Sequence, residues 1–398
     1  MTESSAGMSK VGNPQLLRTM NERLLLDYLR VNGPASRGEL AKASGLSKPT
    51  VSAALSGLEQ SGLVQSAGSL SGRPGPATAL YDVNVRAGVV AGVDIGRNWL
   101  RLAIADLRGD FIARRDVRNS ARSAADLVRR VRALADEVAA EAGIDWAAVH
   151  YAVIGSPGVL NPSTGRLDYA QNLPGWGRAG LVGQLRAALE VEASIENDIN
   201  LAAVGELTLG AGAGVRNFVL ISIGTGVGMG IVINGELYVG NTGAAGEVSF
   251  LPATEVDAPP LDARERGMTE TVAAAGAVAR AAEQAGLPGT SAKEIFAAAA
   301  GGDARAIAVV ESEGRRIGAL ITAVAAILDP ELVVLSGGIG NNLALLGDAM
   351  TRRMAELGPL RPRIVASTLG DDGVLTGAVS RALAVARDRL FERRSAGA

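Results

Sequence analysis

Two stretches of the chain share one order of elements, and this repeat constrains the fold more than any other feature. Residues 88–117 read GVVAGVDIGRNWLRLAIADLRGDFIARRDV, and residues 217–240 read NFVLISIGTGVGMGIVINGELYVG. Each contains three short apolar strands with a glycine-containing first turn. A charged amphipathic helix, expected from about Ala124 to Ala142, and the strand VHYAVIGSPGVL follow the first copy. Helices and the strand ELVVLSGGIG follow the second. Two strand-strand-strand-helix-strand units about 120 residues apart imply two similar α/β lobes. Ligands of open α/β sheets sit at the carboxyl ends of the strands. Four glycine turns fall there: Asp94-Ile95-Gly96, Gly155-Ser156-Pro157-Gly158, Gly224-Thr225-Gly226-Val227-Gly228 and Ser336-Gly337-Gly338-Ile339-Gly340. Glycine lets backbone N–H groups approach an anion closely.

The first eighty residues obey different rules. Residues 1–13 are small and polar and read as a flexible arm. From Pro14, Leu16, Leu17, Met20, Leu24, Leu25, Tyr28 and Leu29 recur at three- and four-residue steps, the stripe of an amphipathic helix ending near Asn32-Gly33-Pro34. Ser36 is placed to cap a short helix, Gly45 to turn the chain, and Ser47 to cap a further helix with Pro49 in its first turn. On that last helix Val51, Leu55 and Leu58 face inward, which leaves Ser47, Lys48, Thr50 and Ser52 outward. Small polar residues at an exposed helix N-terminus after a tight turn are the pattern of a helix-turn-helix, whose second helix enters the DNA major groove. Leu63-Val64 and Ala79-Leu80-Tyr81 then read as two strands of a wing. The loop between them holds one cation, Arg73, between Gly72 and Pro74, suited to a narrow minor groove. Eight basic against five acidic residues give residues 1–76 a charge of +3 in a chain whose net charge is −2. A basic head on an acidic body fits nucleic-acid contact.

The chain has 398 residues, enough for two or three domains, and no cysteine. Disulfides and thiolate zinc sites are thereby excluded, and no apolar run reaches the roughly 18 residues of a spanning helix, so a cytoplasmic location is expected.

With the quoted stretches, AQNLPGWG, ENDINLAAVGE, NGELYVGNTGAAGE and ERGMTET carry a resemblance to the ROK family of sugar kinases and sugar-responsive repressors. The resemblance covers essentially the whole chain. It implies an α/β fold, an N-terminal winged helix-turn-helix joined to a two-lobed actin-like (sugar kinase/ribonuclease H-like) domain. The expected boundaries are 1–13 for the arm, 14–84 for the winged head, 85–200 for the first lobe, to which the C-terminal helix can return, and 201–398 for the second. A head on this body is the arrangement of the family's regulators, similar to the xylose- and N-acetylglucosamine-type repressors, whereas its kinases generally lack the head.

The resemblance further implies that Asn172, Asn197, Asp198, Glu247 and Glu270 line a sugar pocket. Such residues suit hydroxyls, which both donate and accept. Asn and Asp at a strand end also cap helices, here one expected to begin near Leu201. In the family's kinases the residue matching Asp198 is the general base. The family's zinc site needs a histidine and cysteines; Phe250 and Met268 stand in their places, so no metal or other cofactor is expected. The sole histidine, His150, reads as a boundary residue. In the first phosphate turn Arg97 and Asn98 replace the Gly-Thr of the kinases, which crowds the close approach that phosphoryl transfer demands. The expected protein is therefore no enzyme but a repressor of carbohydrate-utilisation genes, a homodimer or homotetramer binding double-stranded operator DNA and a sugar or sugar phosphate, with no membrane partner. A sugar kinase retaining its head, and a regulator answering to a protein partner, are the alternatives.

Overall fold

The structure, a computed structural model, describes residues 14–70, 78–161, 164–168, 180–252 and 266–396. The chain divides into two compact units. One comprises Met1–Val90, Ala105–Ile112 and Leu383–Ala398, the other Ala91–Ile104 and Ala113–Ala382.

The first unit holds the head. Its helices run Pro14–Asn32, Arg37–Ser44 and Lys48–Gln60, and its strands are β1 (Ala35–Ser36), β2 (Val64–Leu70) and β3 (Thr78–Val83). They form an antiparallel sheet in the order β1-β3-β2. The sequence pattern marked two wing strands; Ala35–Ser36 adds the third. Ser36 Oγ accepts from Glu39 N at 3.3 Å and Glu39 Oε2 accepts from Ser36 N at 2.8 Å, a reciprocal cap worth about 1 kcal/mol. Gly45 ends that helix at φ 70°. Leu25, Leu29, Leu40, Val51, Leu55 and Leu58 are fully buried. Within the same unit Arg23 Nη2 pairs with Asp388 Oδ1 at 2.8 Å and Arg387 with Asp27, so the last turns of the C-terminal helix lie along the first helix.

The first helix differs from its expected form. Leu25, Leu26 and Leu29 point into the core, but Leu17, Met20 and Leu24 are exposed. The single stripe read from the sequence is two faces, because three- and four-residue steps accumulate to different angles over four turns.

In the other unit the repeat is realised strand for strand. The first sheet contains β4 (Val89–Ile95), β5 (Trp99–Asp106), β6 (Phe111–Arg118), β7 (Val149–Ser156) and, after the small hairpin β8 (Val159–Asn161) and β9 (Arg166–Asp168), β10 (Ala193–Asn197). Its order is β6-β5-β4-β7-β10. The second contains β11 (Phe218–Ile223), β12 (Val227–Ile233), β13 (Glu236–Leu237), β14 (Leu332–Ser336) and β15 (Arg363–Ala366), in the order β13-β12-β11-β14-β15. In both, the first strand of the lobe lies at the centre, between its hairpin partner and a crossover strand, which in the second sheet runs parallel to it. The amphipathic helix spans Ala124–Ala142, capped by Ser123 and closed by Gly143 at φ 67°.

Helix Asp198–Leu209 leads from the first sheet to the second, and helix Gly373–Ala396 returns. They cross at backbone contact: a Cβ on Gly377 would lie 1.8 Å from Leu201 O. Buried Glu206 sits at this junction and accepts from Ala211 N (2.6 Å), Ser367 Oγ (2.5 Å) and Leu369 N (3.3 Å). A carboxylate with several protein donors is satisfied without water.

Candidate functional site

The reading helix Lys48–Gln60 begins at Ser47, whose Oγ accepts from Thr50 N at 3.3 Å and lies 2.8 Å from Thr50 Oγ1. Lys48 is exposed, while Thr50 and Ser52 are half-buried. No acidic residue stands in the first turn, so the positive end of the helix dipole and the Lys48 ammonium act together toward phosphate. Arg73 lies outside the described residues.

Strand ends in the two lobes bring the remaining residues together. β10 delivers Asn197 and Asp198, and the helix starts at Asp198 rather than near Leu201. Asn197 is its cap: Oδ1 accepts from Asn200 N at 3.0 Å, and Nδ2 donates to Gly158 O at 3.2 Å. The second bond ties the end of β10 to the turn that follows β7, and the two together leave Asn197 less polar capacity for a ligand than its type suggests. Asp198 Oδ1 accepts from Ile199 N at 2.9 Å. Burial, then the charges of Asp94 and Glu247, push the Asp198 carboxyl up to about 7. Glu247 follows Gly246, whose φ of 93° and whose approach to Met229 O admit no side chain: a Cβ would lie 1.9 Å away. Burial and the charge of Glu270 raise Glu247 in turn. Asp94, Asp198, Glu247 and Glu270 thus form a row of carboxyl groups, each within electrostatic reach of the next.

Glu270 is buried and serves the second phosphate turn. Its Oε2 accepts from Val227 N at 3.3 Å and its Oε1 from Arg266 Nε at 3.4 Å. Asn172 lies outside the described residues.

The first phosphate turn is closed upon itself. Gly96 N donates to Trp99 O at 2.9 Å, and Asn119 clamps the turn through N to Asn98 O (2.9 Å) and Nδ2 to Gly96 O (2.7 Å). Arg97 and Asn98 are exposed, and the Arg118 guanidinium stacks over the Trp99 ring at 4.2 Å. Asp94, 4% exposed, accepts from Arg101 Nη1 at 2.8 Å. Arg101 also pairs with Asp116 (3.3 Å) and Asp371 (3.5 Å). Sequence reasoning missed this cation. The signal was present: a two-residue loop, Arg97-Asn98, sets Asp94 opposite Arg101 across the hairpin.

Where the family has zinc ligands, the two segments are joined differently. Thr269 Oγ1 donates to Leu251 O at 2.9 Å, and a Cβ on Gly267 would lie 2.2 Å from Ser249 O. Phe250 is 40% exposed. Among the described residues no three or more His, Cys, Asp or Glu side chains are grouped so as to hold a metal ion. His150 is the second residue of β7, half-buried, with Nδ1 3.1 Å from Ala148 O. No helix among the described residues is long and apolar enough to cross a membrane.

The ROK family profile matches residues 90–385, three quarters of the chain, and a MarR family profile matches residues 18–73. The chain belongs to the ROK family. It is 25% identical over 343 residues to the xylose repressor of Bacillus subtilis strain 168, covering 83% of this chain and 85% of that protein. It is 34% identical over 200 residues to a glucokinase of Halalkalibacterium halodurans, covering 47% of this chain and 60% of that protein's length. A crystal structure of a ROK family transcriptional regulator, a homolog of the E. coli MLC protein, superposes with a TM-score of 0.77 over 95% of this ROK chain and 98% of the other at 24% identity. At that identity the likeness establishes the fold, a winged head with the two-lobed ROK body.

Proposed function

We propose that this ROK protein is a sugar-responsive, DNA-binding transcriptional repressor that holds its effector at the carboxyl row of Asp198, Glu247 and Glu270. The observation that carries the reading is the winged head, with the capped, acid-free N-terminus of Lys48–Gln60, on the same chain as the ROK body. The xylose repressor match, which extends over head and body alike, supports it. Sugar binding shifts the lobes toward one arrangement and so changes how two heads address a pseudo-palindromic operator. Asp198 and Glu247, with no ion pair among the described residues, suit a ligand that donates hydroxyls.

Absence of phosphoryl transfer is part of the proposal. Arg101 occupies Asp94, and Arg97 crowds the turn where a nucleotide phosphate would approach. A kinase reading has one observation of its own: a carboxyl at about 7 in the position of Asp198 is well matched to a general base at neutral pH. A thermal-shift screen of pentoses, hexoses and their phosphates, with and without Mg·ATP, separates the two. Stabilisation by a sugar alone, with no ADP formed, is expected. Sugar-dependent ADP release abolished by Asp198→Asn establishes the kinase instead.

A further inference from the structure

Helix Pro14–Asn32 has an apolar face with no partner among the described residues. Leu17, Met20, Leu24 and Val31 are 54, 57, 46 and 68% exposed, and Tyr28 is half-buried beside them. At about 100° per residue the five fall within an arc of about 80°, opposite Leu26 and well clear of Leu29. The stripe is about 21 Å long at 1.5 Å per residue. Toward the core of the head the helix turns Leu25, Leu26 and Leu29, on other faces.

We propose that this stripe is a twofold contact between two copies of the chain, their first helices antiparallel and paired at Leu24. The register carries the inference. Counted from Leu24, Leu17 and Val31 stand seven residues either side, and Met20 and Tyr28 four either side. Reversing one helix therefore sets Leu17 on Val31 of the second copy, Met20 on its Tyr28, and Leu24 on itself. An isologous contact requires such self-complementarity; a partner of different sequence does not.

Arg23 and Asp27 lie on one flank of the stripe, where they already meet Asp388 and Arg387. Paired at Leu24, residue i meets residue 48 − i, so Arg23 of one copy lies about 3 Å along the axis from both Asp27 and Arg23 of the other, and these flank charges balance across the seam. Antiparallel helices also oppose their dipoles.

A face about 21 Å by about 10 Å is well short of the roughly 800 Å² per partner of a standard stable interface. The seam is therefore a weak contact by itself, and it strengthens when two heads are held on adjacent half-sites. Its purpose on DNA rests on the repressor reading; the contact itself does not, and it can be read without DNA.

The chain has no cysteine, so single cysteines report cleanly. In the full-length protein under mild oxidation, Leu24→Cys is expected to form a disulfide-linked dimer far faster than Lys48→Cys. Leu17→Cys mixed with Val31→Cys cross-links, while each alone does not. Self-linking of Leu17→Cys and Val31→Cys replaces the antiparallel seam with a parallel one, and a rate for Leu24→Cys no greater than for Lys48→Cys overturns the contact. Leu24→Glu, at an exposed position, leaves the melting curve unchanged and weakens operator binding at least tenfold; unchanged operator affinity also overturns it. If the wild-type chain binds no DNA, the repressor reading fails while the cross-linking result stands.

Discussion

Arg101→Met isolates the interaction that organises the first phosphate turn. The guanidinium serves three acids of unequal need. Side chains of Asp116 and Asp371 are 34% and 88% exposed and keep water when it is removed, so together they contribute about 1 kcal/mol or less. Asp94 cannot, and stripping one partner from a buried pair costs about 3–5 kcal/mol. Protonation sets a ceiling on that cost. Burial already holds the Asp94 carboxyl above its ordinary value while Arg101 pulls it back, and without Arg101 it rises further. Neutralising an aspartate whose unfolded pKa is about 3.9 costs at most about 4 kcal/mol at pH 7 and about 2 kcal/mol at pH 5.5. Because the folded pKa is raised, the penalty is present above the unfolded pKa and fades as pH falls toward it. Urea unfolding followed by tryptophan fluorescence at pH 5.5 and pH 7 reads the difference. The double variant Asp94→Asn/Arg101→Met is expected to recover most of the loss at pH 7 and to lose the pH dependence. Equal losses at both pH values, or no recovery in the double variant, would falsify the ion-pair account.

Three further outcomes follow from the same physics. With Asp198 pushed up to about 7 and acting as an acceptor for sugar hydroxyls, the sugar that stabilises the protein most should bind about tenfold more tightly at pH 8 than at pH 6 by calorimetry, and Asp198→Asn should flatten that profile. Burial raises Glu313 to about 8, against the partial relief from Arg316, so the fold loses stability as pH rises from the unfolded value of about 4.3 toward 8 and is level above it; Glu313→Gln should match wild type near pH 4 and melt progressively higher than it up to about pH 8, and coincident melting profiles across this range would exclude the effect. Gly377→Ala forces a Cβ against Leu201 O and should destabilise by about 2 kcal/mol or more, whereas Gly347→Ala, with its nearest neighbour at 4.0 Å, should be neutral or stabilising by up to about 1 kcal/mol in a denaturation series.

Much of the site lay in view before the fold was known, but its chemistry did not. The sequence placed Asp198 at a strand end, yet only β10 against β7 shows that Asn197 is engaged as a cap and as a donor to Gly158 O. Glu270 was read as a sugar contact, and only the fold shows that it also braces the turn at Val227. Glu206 lies within a quoted motif and was passed over, because its donors Ser367 and Leu369 are far along the chain.

What the sequence determined by itself is what short-range rules govern. Caps at Ser36, Ser47 and Ser123, the glycine turns, and the period-two and helical patterns specified the winged head and both copies of the repeat, since each depends on residues within a few positions of one another. Tertiary structure alone decided which face of the first helix is buried and which carboxyl meets a cation. It also decided that Asp198 titrates near neutrality. Burial and Coulomb interaction depend on distances between residues that the chain brings together only on folding.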